Sequence, residues 1–252
     1  MAASRAARAA PNPARIQWPW SLVALGWLVA FIATLTGQRA LVDHHYLLEQ
    51  SGLAWPTAAA VFLIGWLLMI FAMMLPVSAP LSTRTLDVSH VVGYVGPWML
   101  FGLLAFTGDT GIHRLVDAWP WLAAHTFVIG ATTFTLAGLF QFTPWKRACL
   151  TLCRAQRGTA LDEPHTHGSW PAGLRHGFAS VGSCWALMLI MFGVGVGGFG
   201  WMLGLTGVML SESALPRAQS AAGARRLIGL ALLALAALWL AHPAWLVPAT
   251  AA

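Results

Sequence analysis

The chain has 252 residues, of which 58% are hydrophobic and 9% charged, against about a quarter charged in an ordinary soluble domain. With a mean hydropathy of +0.69, this excludes a soluble catalytic domain and makes the chain an integral membrane protein. The net charge of +6 is therefore read as membrane topology before it is read as a nucleic-acid surface, and no nucleic-acid partner is expected.

The opening, MAASRAARAAPNPARIQWPW, is rich in Arg and Ala and holds no acid. That is the charge character of a signal-peptide n-region or a transit peptide. The apolar run that follows, Trp20 to Thr36, is long for a cleavable segment and has no convincing small-residue cleavage site after it. It reads as a retained first span. Stretches able to cross about 30 Å of hydrocarbon, which takes roughly 20 residues of helix, fall at 19–36, 56–79, 91–107, 119–141 and 227–246.

The apolar stretch 177–210 is different. As one helix it would be about 51 Å long, too much for one untilted crossing. Its middle, GVGVGGFG at 193–200, is a poor helix, because each glycine costs roughly 1 kcal/mol relative to alanine. Two short helices joined by a tight turn, or a re-entrant hairpin, are expected instead. The charges agree. With a hairpin and a cytoplasmic N-terminus, 12 Lys and Arg lie inside and only Arg39 and Arg114 outside; a single crossing would give 9 and 5. The excess of inward bases favours the hairpin.

The expected fold is thus an all-α polytopic membrane protein, a bundle of about seven transmembrane helices or six plus a re-entrant helical hairpin at 177–210, with a cytoplasmic N-terminus. Residues 1–18 form a cytoplasmic arm, 19–246 a single helical membrane domain with a cytoplasmic loop at 143–176, and 247–252 a periplasmic tail. The membrane expected is a bacterial-type inner (cytoplasmic) membrane.

Chemistry-bearing residues are few. In WLLMIFAMMLP, 66–76, Met69 and Met73 stand four apart on one helix face and Met74 lies about 100° round. Thioethers suit Cu(I). Pro76 removes a backbone donor, which lipid tolerates only where protein or a cavity satisfies the freed carbonyl. In CWALM, Cys184 and Met188 repeat the four-residue spacing. In KRACLTLCR, 146–154, Cys149 and Cys153 do so again, beside Lys146, Arg147 and Arg154, cations expected to raise the thiolate fraction. His165 and His167, with His176, offer imidazoles that could complete a Cys/His site on the cytoplasmic side. Taken alone, each methionine pair reads better as packing, because Met fills irregular gaps and free Cys is a common core residue. His125 is the clearest ionisable group within a span, but it has no obvious intramembrane partner at matched depth, so haem is not expected. His44, His45, His90 and His113 read as loop-bound or interfacial, and Glu212 is the only acid near the sulfur-rich segment.

Taken together and in order, Trp66, Met69, Ala72, Met73, Met74 and Pro76, then Tyr94 and Trp98, then Gln141, Pro144, Lys146, Cys149, Leu150, Cys153 and Arg154, then Gly177, Gly182, Cys184, Trp185, Leu187 and Met188, and finally Glu212 resemble the predicted metal-binding integral membrane protein family, domain of unknown function 2182. The correspondence spans about 56–213. It implies a metal site drawn from Met73, Met74, Cys149, Cys153, Cys184, Met188 and Glu212. The family often has a cysteine-rich run before the tryptophan, where this chain has SVGSCW. Ser180 and Ser183 thus stand where sulfur is expected, and Gly197 and Gly198 where Met and Asn are common. A hydroxyl is a much poorer Cu(I) ligand than a thiolate.

Two functions compete. One is a protein that binds or handles a soft transition metal ion, Cu(I) foremost, through these Met and Cys side chains. The other is a non-catalytic structural or assembly subunit of a membrane protein complex, suggested by 14 tryptophans and by a small-residue face of Gly193, Gly195, Gly197, Gly198 and Gly200 that permits close helix approach. Its partners would be the lipid bilayer and a membrane protein or a second copy of the chain. An enzyme is not expected: there is no nucleophile with a base at credible spacing, no HExxH and no dinucleotide fingerprint.

Overall fold

Every regular element in a computed structural model of the chain, which describes residues 13–37, 44–78, 88–162, 169–193, 199–214 and 218–241, is helical. In chain order these are α1 (Pro13–Thr36), a π-helical turn at Tyr46–Gln50, α2 (Trp55–Met69), a π-helical segment at Ile70–Met74, α3 (Leu75–Ser78), α4 (Val88–Ala118), α5 (Pro120–Ala124), α6 (Phe127–Phe140), α7 (Pro144–Asp162), α8 (Ser169–Gly193), α9 (Phe199–Ala214) and α10 (Ala218–Ala241). Trp18–Thr36, Trp55–Ser78, Val88–Ala118, Trp170–Gly193 and Ala222–Ala241 are long and apolar enough to cross a membrane. The pair α6 and α7, bent by 68°, would add a sixth span if read as one. The chain is an all-α polytopic membrane protein, with Leu25, Leu28, Ile64, Leu104, Leu139 and Leu227 among the apolar side chains exposed where lipid would cover them.

Backbone chemistry explains the irregular points. Pro76 has no N–H to give Ala72 O, four residues back. Trp27 Nε1 on α1 donates to that carbonyl at 2.9 Å. The helix also slips to π geometry just before the proline, with Leu75 N–H bonded to Ile70 O. Removing the indole donor should therefore cost about 1–3 kcal/mol, the penalty for an unsatisfied buried carbonyl. Trp27→Phe is expected to unfold earlier in detergent melts, and Pro76→Ala in the same chain to recover part of the loss by restoring an N–H.

At the other bend, Thr143 Oγ1 accepts from Lys146 N at 3.3 Å. Thr143 and Pro144 thus form an N-cap and first helical position, which fixes where α7 starts.

Among the described helices α4 packs most extensively on α8, and glycine lets the two backbones approach. A Cβ on Gly173 would collide with the His90 carbonyl, one on Gly93 with the Trp170 carbonyl, and one on Gly177 would stand 2.6 Å from Tyr94 O. Of the small-residue face expected at 193–200, a Cβ at Gly193 would collide with Thr133, while one at Gly200 would meet nothing within 4 Å. Gly195, Gly197 and Gly198 lie outside the described residues.

Three expectations change. The span at 119–141 is broken at His125, the C-cap of α5, whose ring Nδ1 lies 2.7 Å from Trp121 O and stacks on the Trp121 ring at 4.7 Å. His125 is therefore a partly exposed kink residue and not a mid-span group. The stretch 143–176 is helical over Pro144–Asp162 and again from Ser169. The first arm of the expected hairpin is a full 25-residue helix, α8, while the second, α9, has 16 residues. Their separation into two helices stands, and Glu212 near the end of α9 returns to Lys146 at the start of α7. The tail 247–252 and most of the arm 1–18 lie outside the described residues.

Candidate metal centre

Four of the expected sulfur ligands share one core cluster. Met73, Met74 and Met188 are wholly buried and Cys184 is 3% exposed. Met73 and Met74 sit in the π-helical segment, a local register change of the kind often found at functional sites. Tyr94 ties this segment to α8: its hydroxyl lies 3.2 Å from Met74 O and 2.9 Å from Ser180 Oγ. Ser183 Oγ donates to Ser180 O at 2.9 Å and stands 3.3 Å from Cys184 Sγ. The two serines that stand where sulfur is expected thus hold the helix turn that presents Cys184.

Cys149 and Cys153 are buried on the face of α7 turned to α8, and neither is in a disulfide. Cys149 Sγ fills the space beside Gly182, 2.7 Å from where a Cβ would project. Burial pushes the Cys149 thiol up from its ordinary value. Desolvation thus acts against the activation expected from the neighbouring cations, and two of those cations are engaged elsewhere. Lys146 Nζ is bound by both Glu212 oxygens at 2.8 and 2.9 Å, and Arg154 donates to Glu212 O at 2.7 Å. The positive charge at Lys146 is answered by the acid.

Lys146 and Glu212 side chains are 0% and 1% exposed. Glu212 therefore sits in a buried ion pair that locks α9 to α7. His176 lies on α8, with its Nδ1 3.5 Å from His90 Nε2 and its ring 5.1 Å from that of Tyr94. His165 and His167 lie outside the described residues.

A second group of ligand-type side chains was not anticipated as a site. One nitrogen from each of His44, His45 and His113 lies within 4.8 Å of the others. Asp109 and Glu49 join them: Asp109 Oδ2 is 3.5 Å from both His44 Nε2 and His113 Nε2, and Glu49 Oε1 is 2.8 Å from His113 Nδ1. The signals were a His-His pair and an Asp and His one turn apart, too far apart in sequence to be joined.

Residues 63–239, well over half of the chain, match the sequence family described as PpoB2, copper chaperone. The chain belongs to the PpoB2 copper chaperone family. No curated protein and no solved structure matches it. The family name carries copper handling to this chain; it does not carry the number of the domain of unknown function that the sequence suggested. The PpoB2 match takes in all seven expected ligands, from Met73 to Glu212, and also Asp109 and His113, while His44, His45 and Glu49 precede it.

Proposed function

We propose that this membrane protein holds Cu(I) as cargo in the helix bundle through Met73, Met74, Cys184 and Met188, and exchanges it with Cys149 and Cys153 at the end covered by α7. The observation that carries this reading is the burial of these four sulfur side chains, from two separate elements, in one cluster inside the segment matched by a copper chaperone family. Thioether and thiolate donors are the soft set that favours Cu(I), and a dry core would protect the reduced ion. Cys149 and Cys153, on the face of α7 turned to α8, would pass the ion by stepwise ligand exchange. Glu212 acts beside the site as the anchor of Lys146, keeping α9 in place. The α7 end faces the cytoplasm of a bacterial-type inner membrane in this reading, as the distribution of bases favours, and the receiver is a membrane protein partner or a second copy of the chain.

The test is a Cu(I) titration of the detergent-purified chain against a colorimetric chelator. We expect about one equivalent held by the wild type. Removing two first ligands in Met73→Leu with Met188→Leu should weaken binding beyond the about 10–100-fold that loss of an outer-shell partner causes, and Cys184→Ala should do the same. Equal Cu(I) uptake by wild type and variants would return these motifs to packing and favour a structural subunit.

A further inference from the structure

We propose a second copper site, for the divalent ion, built from His44, His45, His113 and Asp109 and oriented by Glu49. It uses none of the sulfur residues, so it stands or falls separately from the Cu(I) reading. The five side chains come from three places: the helical turn at 44–45, the π-helical turn that follows it, and one face of α4. On α4, the distance from His90 beside His176 to His113 is about 35 Å of helix. The cluster therefore lies at the opposite end of the bundle from the cysteines of α7. Phe192, in the last turn of α8, closes it from within, its ring 4.9 Å from that of His44.

The spacing fits a coordination sphere. Ligands about 2.0–2.1 Å from one ion stand about 3.4 Å apart in a tetrahedral site and about 4 Å apart across a tetragonal one. Asp109 Oδ2 is 3.5 Å from each of two imidazole nitrogens, beyond the length of a good N–H···O bond, and the three imidazole nitrogens fall within 4.8 Å of one another. Closing a pair from 4.8 Å to about 3.4 Å moves each side chain by about 0.7 Å.

Proton bookkeeping points the same way. Glu49 on His113 Nδ1 is the carboxylate–histidine arrangement that fixes the tautomer of a metal-binding imidazole and raises its basicity. With the proton at Nδ1, the lone pair of Nε2 faces the buried Asp109 oxygen. A cation satisfies both acceptors, either a second proton on His113 or a metal ion held by the same atoms.

The donor type selects the ion. Imidazole with carboxylate is a borderline set, unlike the soft sulfur of the bundle, and among divalent first-row ions copper binds such sites most tightly. His44 and Asp109 are 6% and 7% exposed while His45 and His113 are only partly buried and Glu49 is open to solvent. An ion can thus enter from the aqueous side and meet a fixed inner wall.

The experiment is a Cu(II) titration of the purified full chain without reductant, read by electron paramagnetic resonance. The expected result is one equivalent with nitrogen hyperfine splitting, lost in His45→Ala and in His113→Ala. Glu49→Gln, which keeps shape and leaves every proposed ligand in place, should weaken Cu(II) binding by about 10–100-fold, so the proposal is still tested if a histidine variant fails to fold. It is overturned if the signal survives both histidine variants, if it disappears instead on His165→Ala with His167→Ala, or if equimolar Zn(II) displaces the copper. Cu(I) uptake measured on the same histidine variants reports on the sulfur site, which those substitutions leave intact.

Discussion

Replacing Lys146 by methionine is expected to lower the unfolding temperature by about 6–20 °C, because breaking one side of a buried ion pair costs about 3–5 kcal/mol and each kcal/mol is worth about 2–4 °C in a chain of this size. Lys146 and Glu212 are 0% and 2% exposed overall, and removal of the lysine would leave a carboxylate with no water to receive it. The sign of the second substitution is the stronger test. Lys146→Met combined with Glu212→Leu should recover most of the loss, since a well-packed apolar pair is often as stable as the buried charges it replaces. A double-mutant cycle by differential scanning fluorimetry in detergent measures the coupling. If the double variant melts as low as the single one, the pair is not what holds α9 to α7.

That ion pair also marks the limit of what the sequence discloses. The membrane class, most spans and the separation of α8 from α9 follow from hydropathy, helix length and glycine cost, all local quantities. Lys146 reads in the sequence as a cation that would raise the thiolate fraction of Cys149, because its partner is 66 residues away on a helix whose return path only the charge distribution indicates. The break at His125 was hidden by an apolar run that continues on both sides of it. His44 and His113 read as loop-bound or interfacial for lack of any local pattern, yet both reach Asp109 at the end of the bundle. Gly177 and Gly182, which the sequence offers only as motif positions, serve close packing against Tyr94 and Cys149.

Gly173→Ala should be among the most damaging single substitutions in the protein although it adds one methyl group. Its Cβ would overlap the His90 carbonyl and lie 2.9 and 3.0 Å from His90 C and Cα, and backbone inside a helix cannot turn aside as a side chain does. Helices α4 and α8 must move apart, at a cost of at least the about 1–3 kcal/mol typical of overpacking. Gly207→Ala provides the opposite sign. On α9 a Cβ there meets nothing within 4 Å, so the gain of up to about 1 kcal/mol in helix propensity should appear as a small rise in melting temperature. The first change reaches the sulfur cluster as well, since Tyr94 and Ser180 sit on the two helices being separated and their 2.9 Å contact holds Met74 and Cys184 in register. Gly173→Ala is therefore expected to lose stability and Cu(I) affinity together, whereas Gly207→Ala should change only the first. Detergent melts and chelator titrations on the two variants separate the cases, and an unaltered Cu(I) affinity in a destabilised Gly173→Ala chain would mean that Tyr94 is not what aligns the site.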